Sequence, residues 1–186
     1  MRNRRIENEW RLLHDLAALN PGSLEIVERG VGPNEEYFRV RLNQTTGPVE
    51  SRDGVGLRDS HLAGFHFPRF FPAVPIEALL MHPVFHPNVD PDTGFVCLWT
   101  RVCPGDTVAE ALTRLQRVIA WDLANLTPDH VMQPRAAAWY RDTSRPIALP
   151  CAFVPLLLPK PPGDGVESRR ASLRTRPRLS QPMERK

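Results

Sequence analysis

The sequence predicts an α/β domain of the α+β kind: a helix, a four-stranded antiparallel meander, a long loop and two more helices. Three observations predict it. Apolar residues recur at helical spacing near the N-terminus. Four short strand patterns then follow one another with no helical pattern between them, which favours antiparallel neighbours over helical crossovers. Two further helical patterns come after a long irregular stretch.

The first helix is read over residues 4–18. Ile6, Trp10, Leu13 and Ala17 form its apolar stripe, Leu12 and Leu16 widen it, and Asn20-Pro21-Gly22 stops it. The first strand is read over 24–28. The second covers 37–42, where Phe38, Val40 and Leu42 alternate with Arg39 and Arg41. Residues 43–56 read as a turn-rich separator before a third strand at 61–67. The prolines of 67–75 lack ladder donors and exclude a central strand there. A fourth strand is read over 76–81. Residues 82–107 are long and irregular, and loops of that length in a compact domain tend to be functional. A helix over 107–123 follows, then a turn at Thr127-Pro128-Asp129-His130. The last helix starts near Pro134, a residue suited to a first helical turn.

From Arg145 onward prolines forbid a continuous helix. The expected organisation is a folded domain over 1–145, an apolar Pro-rich arm over 146–159, and a basic tail over 160–186 of disordered composition.

The length of 186 residues suits one domain with a real core. The net charge is +3, but 160–186 holds eight Lys/Arg against three Asp/Glu, a local +5 that leaves −2 for the rest. The basic character therefore belongs to the tail and does not mark the domain as a nucleic-acid binder. No run of about 18 apolar residues suggests a membrane span, and no apolar stretch follows Met1-Arg2-Asn3-Arg4-Arg5 to make a secretory signal. Cys97, Cys103 and Cys151 are odd in number and lack zinc-type spacing, so free thiols in a reducing cytoplasm are expected, with no metal or cofactor.

The stretch that carries chemistry is His86-Pro87-Asn88-Val89-Asp90-Pro91-Asp92-Thr93-Gly94-Phe95-Val96-Cys97-Leu98. Read bare, it gives a cysteine, an amide side chain and a Gly turn between them. Flanked by Val96 and Leu98, Cys97 reads equally as a small buried apolar residue. A Cys–His dyad would need His86 or His130 within hydrogen-bond reach of the sulfur, which sequence alone leaves open.

This stretch resembles the active-site signature of the ubiquitin-conjugating enzyme family: His-Pro-Asn, a short Gly-containing turn, then hydrophobic-Cys-Leu. Phe67-Pro68, Phe71-Pro72 and Pro75 resemble the framework that precedes it in that family. Pro128-Asp129, Met132-Gln133-Pro134-Arg135-Ala136-Ala137 and Tyr140 resemble the segment after its crossover helix. The resemblance covers residues 4–143, and the family's order of elements is the one read above from periodicity.

The resemblance implies a transferase. Cys97 would take the C-terminus of a ubiquitin-like protein as a thioester from an activating enzyme and hand it to a protein or other amine acceptor. Asn88 would stabilise the oxyanion or hold the loop, and His86 and Pro87 would buttress that loop. The gate position, usually acidic in the family, falls on His130 with Asp129 one residue earlier, and the role stays open between them. Arg4, Arg5 and Arg11 on the first helix would meet the activating enzyme, or form a solvated basic face. Cys103 is expected in ordinary loop packing and Cys151 under the arm. Ala73 replaces a bulky apolar anchor, and the loop 100–106 is shorter than the family's and lacks its Trp. Weak or no binding to conventional RING ligases is therefore expected. The Arg- and Ala-rich character suggests a bacterial ubiquitin-like conjugation system, antiphage in role. The main alternative is a non-catalytic adaptor of the same fold that binds a ubiquitin-like protein. A cysteine hydrolase and a tail-dependent nucleic-acid binder are further alternatives.

Overall fold

The structure, a computed structural model, describes residues 1–31, 36–51, 54–101, 103–142 and 150–159. The tail expected over 160–186 lies outside the described residues, as does the start of the arm.

Helix α1 spans Arg2–Leu19. Ile6, Leu13 and Leu16 are fully buried, and Trp10 and Ala17 pack beside them, as the apolar spacing requires. Glu9 is buried on the same face, a charge the stripe did not announce. Arg5 lies one turn before it and pairs with its carboxylate at 2.8 Å. The second carboxylate oxygen accepts the Val108 N–H at 2.8 Å. Burial raises the pKa of this glutamate, while the Val108 N–H and the Arg5 guanidinium pull it back down.

Strands β1 (Leu24–Val31), β2 (Glu36–Ser51), β3 (Gly54–Phe67), β4 (Glu77–Leu80) and β5 (Phe95–Val96) form one antiparallel sheet in sequential order. Phe38 pairs with Phe65 and Val40 with Ala63. All four are buried under the helices, and the alternating arginines face out. There Arg39 pairs with Glu28 and Arg41 with Glu25 across the β1–β2 ladder.

The turn-rich separator read over 43–56 is corrected here. Most of it is strand, because β2 continues to Ser51 and pairs with β3 as far as Ser51↔Gly54. The turn-forming residues serve a bulge instead. The register shifts between Asn43 and Gly47, and Gln44 adopts a left-handed φ of 55°. Gly47 is required at this bulge: a Cβ there would stand 2.5 Å from the Ile119 carbonyl oxygen, where the second helix ends on the strand. Strand β5 was not foreseen either, being two residues long inside a Pro- and Gly-containing loop.

Helix α2 spans Val108–Ile119 and starts in a reciprocal cap, with the Thr107 side chain accepting from Glu110 N–H and Glu110 accepting from Thr107 N–H. Pro128–His130 is a single 3-10 turn, and α3 spans Pro134–Arg141. The arm returns as β6 (Ala152–Phe153), paired to β2 at Thr45 and Thr46. Leu156 is buried in the core. Gln116, fully buried on α2, donates to both Thr45 Oγ1 and the Val154 carbonyl at 3.1 Å. Asn20 donates to the Leu157 carbonyl at 2.9 Å and accepts its N–H at 2.7 Å. The described arm thus docks on the domain through these bonds and places Leu156 in its core, while Val154, Leu157 and Leu158 stay exposed. Among the described residues no helix is long and apolar enough to cross a membrane.

Candidate active site

The loop between β4 and β5 folds back on itself through Gly94. Its φ of +74° lies in the left-handed region, and a Cβ there would overlap the Leu80 carbonyl oxygen, so only glycine fits. Asp90 tightens the turn. Its Oδ1 accepts Asp92 N–H at 2.8 Å and Thr93 N–H at 3.0 Å. The Thr93 and Asp92 N–H groups hold this carboxyl below the usual carboxylate range. The chain then crosses the start of its own loop: Val89 bridges to Val96, and Cys97 N–H donates to the Asn88 carbonyl at 2.9 Å. The residues Asn88 and Cys97, nine apart in sequence, are thereby side by side.

Asn88 is 2% exposed. Both hydrogens of its Nδ2 are used on main-chain carbonyls, Asn125 at 2.6 Å and His130 at 2.8 Å. Its Oδ1 accepts Asn125 N–H at 2.7 Å. The Pro87 carbonyl accepts Met132 N–H at 2.8 Å and Gln133 N–H at 3.2 Å. His86 N–H donates to Gln133 Oε1 at 2.8 Å. The His-Pro-Asn tripeptide is thus sewn to the segment 125–133 along its whole length.

The His86 ring is fully buried against Trp121, edge to face at 5.2 Å between centroids. Its Nδ1 accepts Asn88 N–H at 3.1 Å, which places the ring proton on Nε2. Burial drives its pKa from 6.5 down to about 3, against a smaller upward pull from the Leu123 backbone. This imidazole is a neutral acceptor and holds no charge at neutral pH.

The same sewing brings the other histidine to the thiol. His130 Nδ1 lies 3.0 Å from Cys97 Sγ. The thiol is free and half-buried, and burial pushes its pKa up. A thiol and an imidazole nitrogen at this separation can exchange a proton. Asp129, next to His130, is exposed on the 3-10 turn.

The three arginines of α1 separate. Arg4 is exposed. Arg11 is exposed and bonded to Asn8 and to the Glu7 carbonyl of its own helix. Arg5 is turned inward: besides its pair with Glu9 it donates to the Gly105 carbonyl at 3.1 Å and the Asp106 carbonyl at 3.3 Å. Cys103 is exposed, contrary to the loop packing expected of it; among the described residues only its main chain is tied down, its N–H donating to Asp106 Oδ2 and its carbonyl accepting Asp106 N–H, both at 2.9 Å. Cys151 is half-buried. Ala73 is exposed, and three residues before it Phe70 is 67% exposed. Sequence reasoning missed Asn125, Gln133 and Phe70. The main chain of Asn125 and the side-chain amide of Gln133 carry no local signature, since their partners lie 37 and 47 residues away.

No family model and no curated protein matches the chain. Solved structures do match it. One is S. cerevisiae Ubc12, at 20% identity and a TM-score of 0.48 over 72% of this chain and 69% of that one. Another is a Trypanosoma cruzi protein described as a ubiquitin conjugating enzyme, at 18% identity and a TM-score of 0.52 over 76% of this chain and 91% of that one. At such identities the likeness is one of fold: this chain has the ubiquitin-conjugating fold.

Proposed function

We propose that this chain is a ubiquitin-conjugating-type transferase that holds the C-terminus of a ubiquitin-like protein as a thioester on Cys97 and passes it to an amine. One observation carries the reading. Within the ubiquitin-conjugating fold, Cys97 carries a free, half-exposed thiol while its main-chain N–H donates to the Asn88 carbonyl, so the two ends of the 86–98 stretch that resembles the family signature meet.

A thiol suits the task because it is both a good nucleophile and a good leaving group, so an acyl group on it can be moved on. The bonds of Asn88 to Asn125 and His130 support its role as the holder of the loop over that of oxyanion donor, since both of its N–H groups are already committed. For the gate, the 3.0 Å contact supports His130 over the exposed Asp129. In the thioester the sulfur carries no proton, and Nδ1 is then free to take one from an incoming amine.

The activating enzyme would meet α1 through Arg4 and Arg11, because Arg5 is spent inside the domain. Ala73 and the small exposed side chains of Cys103 and Pro104 supply little anchor area for a RING ligase, which leaves Phe70 as the aromatic side chain on offer. Free thiols support a reducing, cytoplasmic setting. The absence of RING anchors at Ala73 and in the 100–106 loop supports a divergent system of the bacterial antiphage kind.

The test is to load the chain with activating enzyme, ATP and a ubiquitin-like protein, then map the adduct by peptide mass spectrometry. The C-terminal glycine is expected on Cys97. An adduct on Cys103 or Cys151 would overturn the assignment.

A further inference from the structure

The contact between Cys97 and His130 reaches beyond the gate role. The thiol is half-buried, and burial disfavours the thiolate. Among the described residues its side-chain hydrogen-bond partner is His130 Nδ1. The separation is fixed through the main chain. Asn88 takes the Cys97 N–H on its carbonyl and donates from its side chain to the His130 carbonyl. The His130 N–H is bound by the Thr127 carbonyl at 2.9 Å, Val131 N–H donates to the Pro128 carbonyl at 3.3 Å, and the N–H groups of Met132 and Gln133 are held by the Pro87 carbonyl. The imidazole therefore has its backbone clamped from both sides while the ring stays half-exposed, able to exchange protons with water.

We propose that Cys97 and His130 form a proton-exchanging pair that acts on the thiol itself, in the free protein and in both half-reactions. During loading, the Sγ proton moves to His130 Nδ1 as sulfur attacks the carbonyl carbon of the incoming thioester. The carbon–sulfur bond to the donor cysteine breaks, and its departing thiolate takes that proton. During discharge, Nδ1 takes a proton from the amine as the nitrogen–carbon bond forms. It returns that proton to Sγ as the sulfur–carbon bond breaks. Both half-reactions rest on the transferase reading above; the pair in the free protein does not.

Other titratable groups on the segments packed here leave this pair to set the profile. His86, in the His-Pro-Asn loop, is neutral. Asp90 and Asp92 lie in the turn before Cys97, and the first is held by backbone N–H groups. Asp122 is paired to Arg117, Arg135 on α3 is paired to Glu50, and Asp129 is exposed on the same turn as His130.

The test needs neither an activating enzyme nor a ubiquitin-like protein. Alkylation of Cys97 by iodoacetamide in the full chain is followed by peptide mass spectrometry from about pH 6 to pH 9, for wild type, His130→Ala, His130→Gln and Asp129→Asn. Near neutral pH, wild type and Asp129→Asn should react roughly tenfold faster than either His130 variant, whose rates should rise only at higher pH as an unaided buried thiol ionises. Coincident profiles for wild type and a folded His130 variant would overturn the pair. If neither variant folds, the His130 ring signals of wild type are titrated by NMR before and after Cys97 alkylation. A shift in its titration supports the pair, and an unchanged titration overturns it. Separated profiles with no thioester in the loading assay would leave the pair standing and remove the transferase reading. Coincident profiles with a thioester would do the reverse.

Discussion

At the residue scale, Asn88 and His86 make the sharpest predictions. Asn88 spends its amide on three main-chain groups. Asn88→Asp keeps the shape but places carboxylate oxygens against the Asn125 and His130 carbonyls. A cost of about 2–4 kcal/mol is expected, since two acceptors lose their donor and a charge is buried beside them. Urea denaturation measures it. A variant as stable as wild type but slow in discharge would point back to an oxyanion role.

His86 predicts acid sensitivity. Its folded pKa, about 3, lies below the ordinary 6.5. The unfolded chain therefore binds a proton that the folded chain does not, and stability is fully present above pH 6.5 and falls as pH drops towards 3. The slope from this one group approaches about 1.4 kcal/mol per pH unit. Urea midpoints between these limits test it, and His86→Gln, if folded, should flatten the dependence.

At the element scale, the coupling of α1 to α2 runs through Glu9 and Arg5. Glu9→Ala leaves the Arg5 charge and the Val108 N–H without their partner. The Arg5 side chain keeps 31% exposure, so the cost should fall below that of a fully buried pair, at about 2 kcal/mol. Reversing Arg5 should accordingly lower stability, whereas reversing Arg4 and Arg11 should slow loading at unchanged stability. Equal loading by the Arg4/Arg11 double reversal would exclude that face as the contact for the activating enzyme. Gly94 predicts the same for the active-site loop. Gly94→Ala forces a Cβ onto the Leu80 carbonyl at positive φ, so it should cost about 1–3 kcal/mol and slow Cys97 loading.

The elements also show what sequence could carry. The stripe of α1, the alternation of Phe38, Val40 and Leu42, and the first-turn proline of α3 are local signals, and each marks an element that exists. Residues 43–56 misled because Asn, Gly and Pro favour both turns and bulges, and only pairing with β3 decides between them. The inward turn of Arg5 depends on where the 105–106 carbonyls end up, which no periodicity encodes.

At the scale of the whole molecule, the site is assembled from distant parts. Cys97 was legible as the residue of interest because it sits in one contiguous motif. Its neighbour His130 lies 33 residues on, and their contact exists only because the His-Pro-Asn loop binds 125–133 through bonds no pattern announces. The arm is a second long-range device, closing over the bulge of β2 and burying Leu156. Truncation before Pro150 strips Gln116 and Asn20 of their arm partners. Together with the lost Leu156 it should cost about 3 kcal/mol or more. Cys97 alkylation should persist wherever the truncated chain stays folded.

The central claim is that Cys97 carries a ubiquitin-like protein. The most direct measurement incubates wild type and Cys97→Ser with the cognate activating enzyme, ATP and the ubiquitin-like protein, and compares gels with and without reductant. The account expects a reductant-sensitive adduct on wild type, and on Cys97→Ser either a reductant-stable ester or none. A visibly loaded activating enzyme with no adduct on wild type, or a reductant-sensitive adduct surviving in Cys97→Ser, would contradict it.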